Sequence, residues 1–302
     1  MIKNKPKVSC GKLEIYAKFP SQYVKERTVS VWLPDGYQIG EKCCVLYMHD
    51  GQMLFDADTT WNHQEWQADD VMGKLQAEGK IKRCIVVAID NTESRLQEYF
   101  PNKIGSNLTY KQRKEADLQR FQGDAYLQFL VKEVKPFIDG HYQPLTGRES
   151  TFIMGSSMGG LISLYAMCEY PQIFGGAACL STHLSMRDLS LGEDSDVWAA
   201  AFRSYVKEKL PQIDGSALYM DRGSVGLDGS YGPYQDLMDK VIEENKWERT
   251  RFESRVFEGH EHMEKFWAQR LDQPLLFLLG TNNTVSLNVP SLPTVTKNSL
   301  FD

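Results

Sequence analysis

Short apolar runs rich in β-branched residues recur along this 302-residue chain and alternate with longer amphipathic stretches. This alternation constrains the fold most, because it is typical of parallel strands joined by crossover helices. The apolar runs predict eight strands, at residues 13–19, 28–33, 43–48, 84–89, 151–154, 176–180, 217–220 and 251–257. Apolar residues at i, i+3 and i+4 predict six helices, at residues 65–77, 125–138, 158–169, 197–210, 234–245 and 264–279. The predicted fold class is α/β.

The order of these elements predicts one domain. The first two strands flank a segment too short for a crossover helix, so we expect them to pair antiparallel. No repeat or Gly/Ser/Pro linker divides residues 1–280. Residues 91–123 show no clear helix or strand pattern, and a loop of that length is expected to shape a pocket. Residues 281–302 are rich in Asn, Thr, Ser and Pro and predict a disordered C-terminal tail.

Composition excludes several classes of function. A net charge of -6 with no long basic run argues against a nucleic-acid partner. No apolar stretch approaches the roughly 18 residues of a transmembrane helix, so no membrane association is expected. Residues 1–11 are polar, which favours the cytoplasm, or the periplasm or exterior if a leader has been cleaved. Six cysteines without a CxxC pair predict free thiols, most of them buried.

A G-x-S-x-G motif, Gly155-Ser156-Ser157-Met158-Gly159, lies between the fifth predicted strand and the following helix. A nucleophile on such a sharp turn needs glycines two residues before and after it, and the helix N-terminus favours developing negative charge. Ser157 meets this requirement and Ser156 does not. The alternative interpretation is a glycine-rich turn that only lets the helix pack closely.

A nucleophilic serine needs a histidine base and an acid, and in this motif's setting both follow it in the chain. His260 and His262 come directly after the last predicted strand, and both are candidate bases. His183 is better placed to line the pocket. Asp221, at the end of the seventh strand, and Asp228, in the loop that follows it, are both candidate acids.

An oxyanion hole requires two backbone N–H groups, one of them from the residue after the nucleophile, here Met158. The second is expected from the loop His49-Asp50-Gly51-Gln52, which follows the third strand. Its Asp-Gly pair suits a tight turn with the glycine in an unusual backbone conformation, although an ordinary β-turn is an equal alternative.

Four aromatic residues lie in or beside loops on the same expected edge: Trp61, Trp66, Tyr99 and Phe100. They could stack on a sugar or an aromatic acyl group, or simply fill the loops. The spacing His260-Glu261-His262 differs from the His-Glu-x-x-His of zinc proteases, which argues against metal catalysis. No GxGxxG motif or P-loop occurs, so no nucleotide cofactor is indicated.

Several of these segments together resemble the putative-esterase family of α/β-hydrolases, which includes enterochelin esterase-like, esterase D-like and feruloyl or acetyl xylan esterase-like enzymes. The matching segments are residues 45–52, 155–160 and 221–224, with Glu261-His262 five residues before Trp267. The resemblance spans residues 13–280. It implies an α/β-hydrolase fold, with a mostly parallel eight-stranded sheet and helices on both faces.

The resemblance also implies a function and roles for the site residues. Ser157 would attack an ester, His262 would be the base because of its spacing from Trp267, and the N–H groups of Gln52 and Met158 would hold the oxyanion. Asp228 would be the acid if residues 225–227 are an insertion, because the family has Gly-Thr-x-Asp where this chain has Gly223-Ser224-Val225-Gly226-Leu227-Asp228. Asp221 remains the alternative.

The expected activity is serine carboxylesterase without a cofactor, acting on an acylated carbohydrate or related small-molecule ester. Family members that resemble mycolyltransferases leave acyl transfer open, and a non-catalytic binding protein on the same scaffold is a third possibility.

Overall fold

The computed structural model describes residues 5–115, 118–187, 195–211, 213–245 and 251–281. It contains the strands β1 (Lys12–Phe19), β2 (Arg27–Leu33), β3 (Cys44–His49), β4 (Cys84–Ile89), β5 (Thr151–Ser156), β6 (Gly176–Leu180), β7 (Ala217–Gly223) and β8 (Arg251–Phe257). They form one sheet in the order β1-β2-β4-β3-β5-β6-β7-β8. β2 pairs antiparallel with β1 and with β4, and the other pairs are parallel. The eight predicted strands and the antiparallel first pair are confirmed.

The α-helices of the described residues are α1 (Ala68–Ala77), α2 (Arg95–Glu98), α3 (Tyr110–Glu115), α4 (Gly123–Phe129), α5 (Lys135–Tyr142), α6 (Met158–Glu169), α7 (Ser195–Lys209), α8 (Gly226–Glu244), α9 (Glu264–Arg270) and α10 (Asp272–Leu279). A π-helical turn, Leu130–Val134, joins α4 to α5. In the described part of the chain, no helix is both long enough and apolar enough to cross a lipid bilayer.

The central strands are buried on both faces, which explains why their sequences are nearly continuous apolar runs. Along β3, Val45 and Tyr47 join one group of buried apolar residues, and Leu46 and Met48 join a second group. Successive side chains of a strand point to opposite faces, so each face of the sheet has its own core. Residues of α4 to α8 complete the first core and residues of α1, α9 and α10 complete the second. The α/β-hydrolase-like arrangement implied by the resemblance is confirmed.

Several predicted boundaries are wrong for local reasons. The helix predicted to start at residue 234 starts at Gly226; three glycines and Pro233 in residues 226–233 hide its first two turns from the sequence pattern. The helix predicted over 264–279 breaks at Leu271, with Pro274 in the first turn of α10. The supposed loop at 91–123 contains α2, α3 and short 3₁₀ turns. Of the predicted tail, only Thr281 belongs to the described residues.

Candidate active site

Ser157 lies at the turn between β5 and α6 with φ 57° and ψ −120°, a backbone region that residues with a side chain rarely adopt. A Cβ on Gly155 would lie 2.7 Å from the backbone carbonyl carbon of Gly159. A Cβ on Gly159 would come within 3.3 Å of the His49 side chain. The two glycines therefore allow a close approach of strand and helix while Ser157 projects from the turn, whereas Ser156 is the last residue of the strand.

His262 and Asp228 meet at the carboxyl ends of β7 and β8. Nδ1 of His262 lies 2.6 Å from Oδ1 of Asp228. An ionised carboxylate can only accept a hydrogen bond, so Nδ1 carries the proton and Nε2 is left as the basic nitrogen. The rings of Tyr231 and Trp267 contact the imidazole edge-on, at centroid distances of 5.5 Å and 5.1 Å. These contacts fix the orientation of the histidine ring.

Asp228 has no solvent-exposed surface. Its second oxygen, Oδ2, accepts hydrogen bonds from the Ser181 hydroxyl at 2.6 Å and from the Gly223 N–H at 2.7 Å. Burial by itself raises the pKa of Asp228, but the hydrogen bonds from His262, Ser181 and Gly223 outweigh it, so the pKa lies below the ordinary value. Asp228 is therefore an ionised partner for the histidine at neutral pH.

Asp221, the alternative acid, lies on β7 and forms a buried ion pair with Arg270 at 2.9 Å. The backbone N–H of Gly223, two residues after Asp221, donates to Asp228 and not to Asp221. Asp228 itself lies in the first turn of α8 and not in a loop. His260 packs on Phe266, and its Nδ1 lies 3.3 Å from Arg270 Nη1.

The loop after β3 differs from the expected turn. Asp50 adopts the left-handed conformation, with φ 56° and ψ 45°, whereas Gly51 begins a 3₁₀ turn, Gly51–Met53. Gly51 is needed for another reason, because a Cβ there would lie 2.7 Å from the backbone nitrogen of Ile89. The prediction that the glycine carries the unusual conformation is therefore wrong.

A partly buried ion pair holds this loop. Arg95 donates two hydrogen bonds to Asp50, at 2.7 Å and 2.8 Å, and Asn91 donates a third at 2.6 Å. Burial raises the pKa of Asp50, but the charge of Arg95 outweighs this effect and the pKa is lowered. Within the described residues, the backbone N–H groups of Gln52 and Met158 make no hydrogen bond, so both can donate to a ligand.

Ser157 and His262 line one pocket of about 480 Å³. The other side chains of its wall include polar groups and three tryptophans: Asn62, Gln64, Asn91, Arg95, Glu264, Trp61, Trp66 and Trp267. Asn62 donates to a carboxylate oxygen of Glu264 at 2.8 Å, which ties the loop after the 3₁₀ turn Ala57–Thr59 to α9. The pocket can therefore offer hydrogen bonds and aromatic surface beside the reacting groups.

Only some of the predicted substrate contacts line this pocket. Trp61 lines the pocket and is 81% exposed, whereas Trp66 lines it but is only 2% exposed and packs on Trp267. Tyr99 is fully buried beneath the loop after β3 and is not part of this pocket wall. His183 is not part of this pocket wall, since its nitrogens face the Tyr231 hydroxyl and the Arg187 carbonyl.

Sequence reasoning missed three residues that support the site. Arg95 lies in the stretch that showed no helix pattern and holds the loop after β3. Ser181 directly follows β6, at the same sheet edge as Ser157, and this position could have revealed it. Arg270 is the last residue of α9, but no local pattern connects it with Asp221.

Comparison with known proteins identifies related chains. A family model described as "Putative esterase" matches residues 21–278. YjcH, an uncharacterised protein of Bacillus subtilis (strain 168), is 24% identical over 180 residues, which is 59% of this chain. The match covers 65% of YjcH, less than two thirds of its length.

Solved structures share the fold. The BES protein from Bacillus cereus superposes with a TM-score of 0.67 at 16% identity, covering 91% of this chain and 98% of that one. A CE1 ferulic acid esterase from Anaeromyces mucronatus, solved in complex with ferulic acid, gives a TM-score of 0.61 at 20% identity, covering 91% of this chain and 93% of that one. At these identities the likeness concerns the fold alone.

Proposed function

Because this chain belongs to the putative-esterase family, we propose that it is a serine carboxylesterase that works through an acyl-enzyme on Ser157. One observation carries the proposal: Ser157 and His262 line the same pocket, and Asp228 is hydrogen-bonded to the far nitrogen of the imidazole. A serine at a strand-to-helix turn with this pair beside it has what acyl transfer requires.

In the proposed reaction, Ser157 Oγ attacks the ester carbonyl while Nε2 of His262 takes its proton. Asp228 keeps the imidazole in the required tautomer and balances the imidazolium charge. The leaving alcohol receives the proton and departs, and water then repeats the sequence to release the acid. The chemistry needs no cofactor.

The N–H groups of Gln52 and Met158 are proposed to hold the oxyanion. These N–H groups stabilise the oxyanion best if they are in place before the reaction, because preorganised donors need no rearrangement at the transition state. The ion pair of Asp50 with Arg95 supports this role, since it anchors the loop that carries Gln52. The closeness of Gly51 to β4 limits the movement of the same loop.

The proposed substrate is an acylated carbohydrate or a related natural product. A sugar has apolar C–H faces that stack on an aromatic ring and hydroxyl groups that need hydrogen bonds. The exposed ring of Trp61 suits the first requirement, and the hydrogen-bonded pair of Asn62 and Glu264 suits the second. His183 stays a weaker candidate, because Tyr231 and Arg187 already engage its ring.

A fluorophosphonate probe tests the nucleophile. We expect labelling of the wild-type protein and of Ser156→Ala, and none of Ser157→Ala, whose turnover should fall by up to roughly 10⁶-fold. Hydrolysis of acetylated and feruloylated sugars should show a burst of alcohol release before steady state. Labelling that persists in Ser157→Ala would refute the proposal, and ester products formed with added alcohols would indicate acyl transfer instead.

A further inference from the structure

A buried polar cluster lies behind Asp228, on the side away from the pocket. Ser181, Asp221 and Asp228 are completely buried and Arg270 is 1% exposed. The Nη2 group of Arg270 lies 2.9 Å from Ser181 Oγ, 2.9 Å from Asp221 Oδ1 and 3.7 Å from Asp228 Oδ2. The Arg270 guanidinium therefore interacts with two buried carboxylates. It donates directly to Asp221, and it is linked to Asp228 through the Ser181 hydroxyl.

The direction of the hydrogen bonds at Ser181 follows from donor chemistry. Its hydroxyl oxygen lies 2.9 Å from Trp267 Nε1, 2.9 Å from Arg270 Nη2 and 2.6 Å from Asp228 Oδ2. An indole N–H and a guanidinium can only donate, so the oxygen accepts from both. The one hydroxyl proton is then left for Asp228. Because the two donors polarise the hydroxyl, its bond to the carboxylate is strengthened.

We propose that Ser181 and Arg270 are positioning residues that hold ionised Asp228 in line with His262. The proposal rests on the proposed function, in which Asp228 is the acid of the triad. Neither residue touches the pocket, so both act through the carboxylate. Their contribution should appear in turnover and in its pH dependence, and not in substrate binding.

The sign of the pH effect follows from charge. A hydroxyl proton and a nearby cation both stabilise the negative form of the pair Asp228 and His262, so they lower its affinity for a proton. Removing either should raise the pH at which the pair becomes protonated and inactive. The other titratable and charged groups around the pair include Asp221 and Tyr219 on β7, Tyr231 on α8, His183 and His260 in the neighbouring loops, and Glu264 on α9 and Arg95 on α2, which line the pocket with His262.

The first test compares Ser181→Ala with Ser216→Ala. Ser216 is also fully buried and accepts a hydrogen bond from an arginine, Arg148, at 2.8 Å, but it precedes β7 at the opposite sheet edge. For Ser181→Ala we expect kcat to fall by about 10- to 100-fold and KM to stay within about twofold, since a hydrogen bond to a charged group is lost. The midpoint of the acid limb of kcat/KM should rise by about one pH unit. Ser216→Ala should change neither.

The second test removes the charge of Arg270 together with that of its partner Asp221, so that no unpaired ion is left in the core. The double variant Asp221→Asn/Arg270→Met replaces both partners of the buried ion pair, so the core keeps no uncompensated charge. The midpoint of the acid limb of kcat/KM should move in the same direction as for Ser181→Ala, because Ser181 loses the donor Arg270 that polarises its hydroxyl toward Asp228. Arg270→Lys, which keeps the charge but not the planar group, should recover part of the loss in kcat.

The third test is non-additivity. If Ser181 acts through Asp228, adding Ser181→Ala to Asp228→Asn should cause no further loss of kcat. An inactive Asp228→Asn together with a Ser181→Ala that keeps the wild-type pH profile would overturn the positioning role and leave the triad intact. An Asp228→Asn with near wild-type turnover would overturn the proposed triad, and the positioning role with it.

Discussion

Gly223 is the last residue of β7 and lies against the loop that carries His262. Replacing it with alanine adds one methyl group and tests how closely the strand and this loop approach each other. A Cβ there would lie 2.0 Å from the carbonyl oxygen of His260 and 2.9 Å from Asp228 Oδ2. The Gly223 backbone is not left-handed, so the effect of Gly223→Ala is purely steric. The methyl group would push the histidine loop away from the acid.

The size of the effect can be worked out from these contacts. Ordinary van der Waals contacts begin at 3.4 Å, so the His260 oxygen must retreat by the difference from 2.0 Å, about 1.4 Å. That oxygen accepts the N–H groups of Ser224 at 3.1 Å and Val225 at 3.3 Å, and both bonds would be strained or lost. Two such bonds at about 1 kcal/mol each, with an overpacking cost of about 1–3 kcal/mol, give a destabilisation of about 3–5 kcal/mol.

Two measurements check this prediction. At about 2 °C per kcal/mol for a chain of this size, Tm should fall by roughly 6–10 °C in a thermal melt. Displacement of the histidine by about 1 Å should lower kcat/KM on a p-nitrophenyl ester by roughly 100-fold.

Gly140→Ala on α5 is the matched control. Nothing lies within 4 Å of its added Cβ, so it should leave activity unchanged and stabilise the helix slightly. A Gly223→Ala protein with wild-type Tm and kcat/KM would refute the steric reasoning.

Three further substitutions test the remaining assignments. His262→Ala should abolish hydrolysis of a p-nitrophenyl ester, whereas His260→Ala should keep a measurable fraction, and the opposite result would exchange their roles. Asp228→Asn should lower kcat by roughly 10⁴-fold, while Asp221→Asn should mainly lower Tm by removing the nearer of the two carboxylates that pair with the buried Arg270; a larger kcat loss for Asp221→Asn would make it the acid. Trp61→Ala should raise KM for acylated sugars by about 10-fold and leave p-nitrophenyl acetate hydrolysis unchanged, as expected for loss of one stacking contact worth about 1.4 kcal/mol.

The strands and the nucleophile turn could be predicted because their causes are local. A strand covered on both faces must be apolar at nearly every position, so β3, β4 and β6 are visible as continuous runs. The turn at Ser157 needs glycines two residues away on each side, and a motif of five consecutive residues is enough to show that this requirement is met.

The start of α8 could not be predicted because local preference opposes the tertiary structure there. Residues 226–233 include Gly226, Gly229, Gly232 and Pro233, all poor helix formers. Packing overrides them, since Tyr231 is buried against the histidine and Asp228 is held by Gly223. Asp228 therefore lies on a helix where the sequence predicted a loop.

By itself, the sequence determined the α/β class, the strand boundaries to within a few residues and the glycine-flanked turn at Ser157. It also offered two histidines and two aspartates as candidate partners of that serine. The tertiary structure decided which of them meet. In the folded chain, Asp228 is hydrogen-bonded to His262, Asp221 is paired with Arg270, and Asp50 is paired with Arg95. These partners are 34, 49 and 45 residues apart, and contacts over such separations leave no periodicity in the chain. These contacts depend on which strands are neighbours in the sheet, because neighbouring strands bring their ends together. The order of the strands is set only when the chain folds.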